Sequence, residues 1–302
     1  MIDLYTFAKS LKSDNCEILV DSPMSRQTSF KVGGNADIIA FPKNVDSLIN
    51  VLKRADECAV PFMIMGNGSN LLVRDEGIRG IVIKTTGMDP EIEVDGEIIH
   101  CSAGTSLSKL CTTALENGLS GLEFAYGIPG TVGGAVYMNA GAYGGEIKDV
   151  LTSVQHINPD FILETAEAES LNLEYRKSFY TDHPEYIIAT AEFRLKKSDK
   201  TEIKAKMDDL IGRRKDKQPL EFPSAGSTFK RPEGYFAGAL IEQCGLKGCR
   251  IGGAEVSEKH AGFIINRYSG TASDIIDLID HVRKTVKENT GVTLEPEVKI
   301  IP

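Results

Sequence analysis

Apolar residues recur three or four positions apart in several stretches of the chain, which predicts amphipathic helices. One such helix covers 45–59 and is closed by Pro61. A longer one opens with the capping pattern Thr271-x-x-Asp274 and ends at Gly291. The other predicted helices lie within 1–20 and at 106–117, 201–214 and 236–244.

Short apolar runs between turn residues predict strands. The clearest is 186–195, and the run 62–65 leads directly into a glycine-rich segment. Strands and helices alternate irregularly, which is typical of an α+β fold. The other predicted strands lie at 80–84, 92–94, 98–102, 251–256 and 263–266.

The net charge, the spacing of cysteine and histidine, and the length of the apolar runs disfavour several classes of protein. The 302 residues carry a net charge of −9, which disfavours a general binder of nucleic acid or anionic membrane. The 6 cysteines include no C-x-x-C pair, and the 5 histidines show no metal spacing, so we expect reduced thiols and no metal. The N-terminal residues lack a signal-peptide core and no apolar run is long enough to span a bilayer, so a soluble cytoplasmic protein is expected.

Glycine is the unusual residue, with 29 copies in the chain. Residues 66–72 follow a predicted strand, and their small residues can turn main-chain N–H groups into one concavity that suits pyrophosphate. A tight turn without a ligand would look similar. The segment lacks the third glycine of a Rossmann fingerprint, and the chain has no P-loop motif.

A second stretch, 127–145, is also rich in glycine and other small residues. It leads from a loop into a predicted helix with Thr131 as the candidate N-cap, and N–H groups at such a start favour an anion. A tightly packed helix crossing is the alternative. Two glycine-rich loops suit a large dinucleotide better than one.

These segments resemble the family of UDP-N-acetylenolpyruvoylglucosamine reductases. Four blocks carry the resemblance in the first half of the chain: 28–34, 66–72, 127–135 and 139–144. Three further blocks follow in the family's order: Tyr175-Arg176-Lys177-Ser178, the run from Ala225 to Pro232, and Leu294-Glu295-Pro296-Glu297-Val298. The resemblance covers about residues 25–300.

The resemblance implies an FAD-binding module of the vanillyl-alcohol-oxidase (PCMH) type in two subdomains, followed by an α+β substrate-binding domain. The expected domains are an N-terminal helical segment at 1–26, the FAD-binding domain at 27–195 with a split near 85, and the C-terminal domain at 200–302. Strand 186–195 and helix 201–214 are about five residues apart, as in short family members that lack a tyrosine-bearing loop. No tyrosine is therefore expected to fold over the substrate from that loop.

The implied activity belongs to peptidoglycan synthesis in the cytoplasm, with UDP-N-acetylglucosamine-enolpyruvate as substrate and UDP-N-acetylmuramate as product. NADPH is the implied reductant, and hydride passes from N5 of reduced FAD to the vinyl carbon. The catalytic residues implied are Arg176 to hold the carboxylate, Ser227 to protonate the enol, and Glu297 to polarise the carboxylate or act as an acid. A surface ion pair for Arg176 and a plain loop for Ser227 are the alternatives.

The residues expected to contact FAD lie in the glycine-rich segments: Gly66, Asn67, Gly68, Ser69, Asn70, Gly127, Gly130, Thr131, Gly133, Asn139 and Gly141. No histidine lies in those segments, which favours non-covalent FAD. Candidate substrate contacts are Arg214 and Lys217, then Lys230 and Asn266. The competing functions are a flavin oxidase for an alcohol or sugar and a non-catalytic nucleotide-sugar sensor, while the oligomeric state is left open.

Overall fold

The computed structural model describes residues 4–11 and 15–302. Its strands and helices alternate irregularly and the sheets are largely antiparallel, so the predicted α+β class is confirmed. The α-helices of the described residues are α1 (Leu4–Leu11), α2 (Val45–Glu57), α3 (Leu107–Glu116), α4 (Val132–Tyr137), α5 (Phe179–Asp182), α6 (Lys200–Lys217), α7 (Ala237–Gln243) and α8 (Ala272–Thr290).

The strands of the same residues are short. They are β1 (Cys16–Pro23), β2 (Asn35–Pro42), β3 (Phe62–Met65), β4 (Leu71–Val73), β5 (Ile78–Lys84), β6 (Ile92–Asp95), β7 (Ile98–Ser102), β8 (Leu119–Ser120), β9 (Gly141–Ala142), β10 (Gly145–Glu146), β11 (Leu151–Ile157), β12 (Leu163–Glu167), β13 (Ile187–Arg194), β14 (Lys196–Lys197), β15 (Arg250–Ile251), β16 (Ala254–Val256), β17 (Ile264–Asn266) and β18 (Lys299–Ile301).

The chain forms two compact units. Unit 1 comprises Met1–Val20, Ile38–Asn67 and Gly80–Arg213, and unit 2 comprises Asp21–Asp37, Gly68–Arg79 and Arg214–Pro302. Both units are discontinuous in sequence. The domain boundaries expected above, including the split near 85, stay predictions.

Unit 1 contains a five-stranded antiparallel sheet with the order β12-β11-β13-β7-β6. Helices α3 and α4 contribute Leu107, Leu110, Val132 and Val136 to the core that contains Phe193 of β13. In a second core, α2 packs its apolar stripe against residues of β2 and β5. The sequence determines where α2 begins, because the side chain of Asn44 and that of Ser47 cap each other's main-chain N–H.

Unit 2 is built around α8, which packs with α7 on the sheet β15-β16-β17. Thr271 and Asp274 form the predicted capping box of α8, and Gly291 ends the helix at φ 75°. The predicted strand 251–256 is wrong as one strand, because Gly252 and Gly253 turn the chain between β15 and β16. Strand β4 pairs in parallel with β18, although their residues are more than 220 positions apart in the sequence.

The N-terminal prediction also needs a correction. Of the expected helical segment 1–26, residues 4–11 are helical, whereas Cys16–Pro23 form a strand. The remaining part of the prediction, at 1–3 and 12–14, lies outside the described residues.

Candidate active site

The two glycine-rich segments meet within unit 1. Gly66 follows β3, and a Cβ added there would lie less than 3.0 Å from the Oγ1 atom of Thr131. The side-chain amide of Asn67 donates to the carbonyl of Pro129 at 3.3 Å. Glycine at position 66 is therefore required for the close approach of the two segments.

The start of α4 does not present free N–H groups to an anion, so that expectation is wrong. Thr131 is the N-cap, as predicted, and accepts from the N–H of Gly134 at 3.4 Å. The N–H of Val132 donates to Thr105 and that of Gly133 to Ala103, at 2.8 and 2.9 Å. These main-chain acceptors come from residues distant in sequence and satisfy the first turn of the helix.

The main-chain N–H groups of the loop 67–70 differ from those at the start of α4. None of the loop's four main-chain N–H groups donates to an acceptor within residues 4–11 or 15–302. Consecutive N–H groups in a tight loop form a site that favours an anion. This donor set fits the pyrophosphate of a dinucleotide such as FAD, so the prediction made from residues 66–72 has a physical basis.

Ser29 adds a polar atom to the unit 2 side of this loop that sequence reasoning missed. Its N–H donates to the carbonyl of Gly68 at 3.3 Å, while its Oγ is buried without a hydrogen-bond partner in the described structure. A buried hydroxyl without a partner is costly and calls for an explanation such as an absent ligand. The available signal was its place in the block 28–34, from which no residue was predicted as a contact.

Arg176 lies in unit 1, at a tight turn. The main chains of Glu174 and Lys177 exchange hydrogen bonds, and Arg176 between them has a left-handed backbone with φ 56°. Its Nη2 donates to the carbonyl of Gly141 at 3.1 Å, and its guanidinium lies 5.1 Å from the ring centre of Tyr175. A left-handed arginine is uncommon and indicates that the surrounding structure holds this turn.

Asn139 is fully buried and its amide is used by the protein. It donates to the carbonyl of Glu174 and to Glu146, and its Oδ1 accepts from the N–H of Lys148. The Lys148 ammonium bonded to Glu146 holds the pKa of that carboxyl below its usual range, with smaller contributions from Asn139 and Arg176. The prediction of Asn139 as an FAD contact stays untested, but its side chain organises the surroundings of Arg176.

Ser227 and Glu297 are brought together in unit 2. Phe229 and Pro296 form an antiparallel bridge, and the N–H of Glu297 donates to the carbonyl of Thr228 at 2.8 Å. The hydroxyl of Ser227 donates to the carbonyl of Phe229 at 3.1 Å. Two blocks that are about seventy positions apart in the sequence thus lie side by side.

Asn70, in the loop 67–70, contacts the segment that carries Glu297. Its amide donates to the carbonyl of Glu297 at 3.1 Å, and its own carbonyl accepts from the N–H of Lys299. These contacts extend the pairing of β4 with β18. The position of Glu297 therefore depends on the loop that precedes β4.

The candidate substrate residues differ in their surroundings. Lys230 pairs with Glu295, and Lys217 is exposed at the end of α6, with Arg214 half-buried one turn earlier. Asn266 is buried, where its amide donates to Phe30 and accepts from the N–H of Gly270. The amide of Asn266 therefore holds the block 28–34 in place, whatever else it contacts.

Comparisons with known proteins match both halves of the chain. Residues 36–162 match the FAD binding domain family, and residues 218–301 match the family described as UDP-N-acetylenolpyruvoylglucosamine reductase, C-terminal domain. A reductase of that name from Clostridium perfringens is 51% identical over 285 residues, which cover 94% of this chain and 93% of the relative. One from Clostridium novyi is 49% identical and covers 100% of this chain and 98% of the relative.

A solved structure leads to the same group. The crystal structure of UDP-N-acetylenolpyruvylglucosamine reductase from Thermus caldophilus has a TM-score of 0.80 at 36% identity, and the match covers 95% of this chain and 99% of that one. The chain is therefore an FAD-dependent oxidoreductase with a PCMH-type FAD-binding domain, as predicted. It belongs to the family of UDP-N-acetylenolpyruvoylglucosamine reductases, which act in peptidoglycan synthesis. Across the residues that the structure describes, no helix combines the length and apolar character that a bilayer span needs.

Proposed function

We propose that this protein reduces the enolpyruvyl ether of UDP-N-acetylglucosamine-enolpyruvate to the lactyl ether of UDP-N-acetylmuramate, with NADPH as the reductant. The proposal places the reaction in the cytoplasm and has NADPH and substrate take turns at the flavin. Family membership supports the substrate, and the geometry of the catalytic candidates supports the roles given to individual residues.

The main-chain N–H groups of residues 67–70 would hold the FAD pyrophosphate, since they have no protein acceptor in the described structure. Ser29 Oγ is a further donor beside this loop. Gly66, Gly127, Gly130, Thr131, Gly133 and Gly141 would be further contacts of the FAD, which would be bound without a covalent link. Bound FAD supplies the hydride that adds to the terminal vinyl carbon of the substrate.

Arg176 would bind the substrate carboxylate. Hydride addition leaves negative charge on the neighbouring carbon, and the carboxylate delocalises it as an enolate. A guanidinium presents a planar fork of donors that matches a carboxylate, and such preorganised stabilisation contributes about 3–4 kcal/mol. The left-handed turn and the bond to Gly141 fix the guanidinium before the substrate arrives.

Ser227 would donate its proton to the enolate carbon. Its hydroxyl hydrogen is directed at the carbonyl of Phe229, so the hydroxyl must leave that acceptor to reach the substrate. Glu297 would polarise the same carboxylate or act as an acid. The pairing of the Ser227 and Glu297 segments is the observation that carries this proposal, because it brings together two segments that the sequence separates and that each carry a chemically suitable group.

The diphosphate of the substrate would be bound by Arg214 and Lys217 at the end of α6, with Lys230 and Asn266 as weaker candidates. Arg and Lys are the side chains that commonly bind phosphate. We further propose that the FAD-binding domain spans 27–195 and the substrate domain 200–302.

An anaerobic visible absorbance experiment tests the function. The purified protein should be yellow, bleach on addition of NADPH, and recover its colour when UDP-N-acetylglucosamine-enolpyruvate is added. A protein that remains colourless when FAD is supplied would contradict the proposal. Recovery of colour with oxygen alone would instead identify a flavin oxidase.

A further inference from the structure

The buried amide of Asn139 connects three segments around Arg176. One bond reaches the carbonyl of Glu174, which begins the turn that carries Arg176, at 2.9 Å. A second reaches Oε2 of Glu146 at 3.0 Å, and the third is accepted from the N–H of Lys148 at 3.0 Å. The side chain is 0% exposed, and its removal takes a buried partner away from each of these three groups.

The guanidinium of Arg176 is held from the same segments. It donates to the carbonyl of Gly141, and Gly141 pairs with Glu146 in the hairpin of β9 and β10. A Cβ added at Gly141 would lie 2.7 Å from Cγ of Glu146, so the hairpin and the Glu146 side chain are tightly packed. Through this main-chain pairing, the position of Glu146 is linked to that of the Gly141 carbonyl, which accepts from the Arg176 guanidinium.

The backbone around this cluster is unusual at three non-glycine positions. Asn139, Tyr143 and Arg176 have φ values of 39°, 54° and 56°. Left-handed residues other than glycine persist where surrounding contacts hold them, and they often occur at functional sites. The bonds made by Asn139 supply contacts of that kind at the turn before Arg176.

We infer that Asn139 and Glu146 are positioning residues for Arg176. They fix the turn 174–177 and the Gly141 carbonyl, so that the guanidinium is already oriented when the substrate carboxylate binds. The inference rests on the proposed role of Arg176 as the carboxylate clamp. A displacement of about 1 Å at a reacting group can slow a reaction by about 100-fold.

The test uses Asn139→Gly in the FAD-loaded protein, because glycine accepts the left-handed backbone and removes only the side chain. Stopped-flow absorbance measures flavin reduction by NADPH and flavin reoxidation by the enolpyruvyl sugar nucleotide separately. We expect reoxidation of the FAD-loaded fraction to slow by about 10- to 100-fold, and by a larger factor than reduction by NADPH. Equal slowing of both steps, or no slowing, would overturn the inference.

Two controls separate positioning from general stability. Asn172→Gly makes the same substitution at another left-handed asparagine, which has φ 47°. Asn158→Ala removes a buried amide that also bonds to a carboxylate and to main-chain N–H groups, but at another turn of unit 1. Both controls should retain parental rates in the two steps even if Asn158→Ala lowers the melting temperature.

A double-mutant comparison distinguishes the inference from the proposed function. In an Arg176→Ala background, Asn139→Gly should have no further effect on reoxidation, because its effect passes through the guanidinium. If Arg176→Ala alone leaves reoxidation unchanged, the clamp itself is wrong. If Arg176→Ala slows reoxidation strongly but Asn139→Gly does not, only the positioning role is wrong. Should Asn139→Gly fail to fold, Glu146→Gln, which removes the charge but keeps the side-chain size, must slow reoxidation selectively or the inference fails.

Discussion

The contact between Gly66 and Thr131 allows a quantitative test of how the two glycine-rich segments fit together. In Gly66→Ala the new methyl would lie less than 3.0 Å from Thr131 Oγ1 and 3.2 Å from its Cγ2. Thr131 is 1% exposed and caps α4, so its side chain has no free space into which to turn. The substitution must therefore displace either the loop or the cap.

The cost follows from these two effects. Overpacking a tight interior typically costs about 1–3 kcal/mol, and loss of a threonine cap costs about 1 kcal/mol. We expect Gly66→Ala to lower the free energy of unfolding by about 2–4 kcal/mol from the sum of these terms. The matched control is Gly134→Ala, where the added Cβ meets the same Oγ1 atom at 3.5 Å, an ordinary contact. That control should be neutral or slightly stabilising, since alanine favours a helix over glycine.

The decisive variant is the pair Gly66→Ala with Thr131→Ala. Thr131→Ala alone should cost about 1 kcal/mol through the lost cap. Because it also removes Oγ1, the double variant should cost little more than Thr131→Ala does alone. Urea unfolding of the FAD-saturated proteins measures the free energy of unfolding of Gly66→Ala, Thr131→Ala, the double variant and Gly134→Ala relative to the parent. FAD titration of the apoproteins shows whether the affinity for FAD follows the same order. Additive costs in the double variant would refute the steric argument.

Three other substitutions test the remaining parts of the site. Ser227→Ala should leave flavin reduction by NADPH intact and slow reoxidation by the enolpyruvyl substrate by about 100-fold or more, since only that step needs a proton donor; equal slowing of both steps would indicate a structural role. Arg176→Lys should lower kcat/KM by about 100-fold, because an ammonium lacks the planar fork, and near-parental turnover in a steady-state assay would refute the clamp. Burial alone would raise the pKa of Asp75, but hydrogen bonds from Ala272 and Ser273 outweigh it and hold that pKa below its ordinary value of 3.8. The ionised carboxylate therefore stabilises the fold above about pH 4, and this stabilisation is lost as the pH falls through the pKa that Asp75 has in the folded protein. Urea unfolding should show that Asp75→Asn lowers the free energy of unfolding at pH 7 and lowers it less at pH 3. An equal loss at both pH values would contradict this.

Local signals predicted much of the fold. The predicted starts of α2 and α8 are correct because apolar spacing and capping residues lie within a few positions of each other. Those interactions involve the same short segment in any tertiary setting. The split of the predicted strand 251–256 into β15 and β16 was missed, although Gly252-Gly253 between the paired residues Ile251 and Ala254 is a local hairpin signal.

The site was predictable as a set of segments and less so as a set of atoms. The glycine-rich loops and the three catalytic blocks are recognisable because their residue types are unusual in that order. The sequence does not indicate that the N–H groups of Val132 and Gly133 are used by Thr105 and Ala103. Nor does it reveal that the amide of Asn139 is fully occupied, or that Ser29 Oγ is buried without a partner.

The sequence by itself therefore determined the family, the cofactor class and the helices whose ends carry their own caps. Only the tertiary structure decided that β4 pairs with β18, that Ser227 lies on a segment paired with that of Glu297, and that Arg176 adopts a left-handed turn. The physical reason is the range of the interactions. Caps and helix faces are satisfied within a few residues, whereas strand pairing and buried hydrogen bonds depend on partners that the fold brings from distant positions.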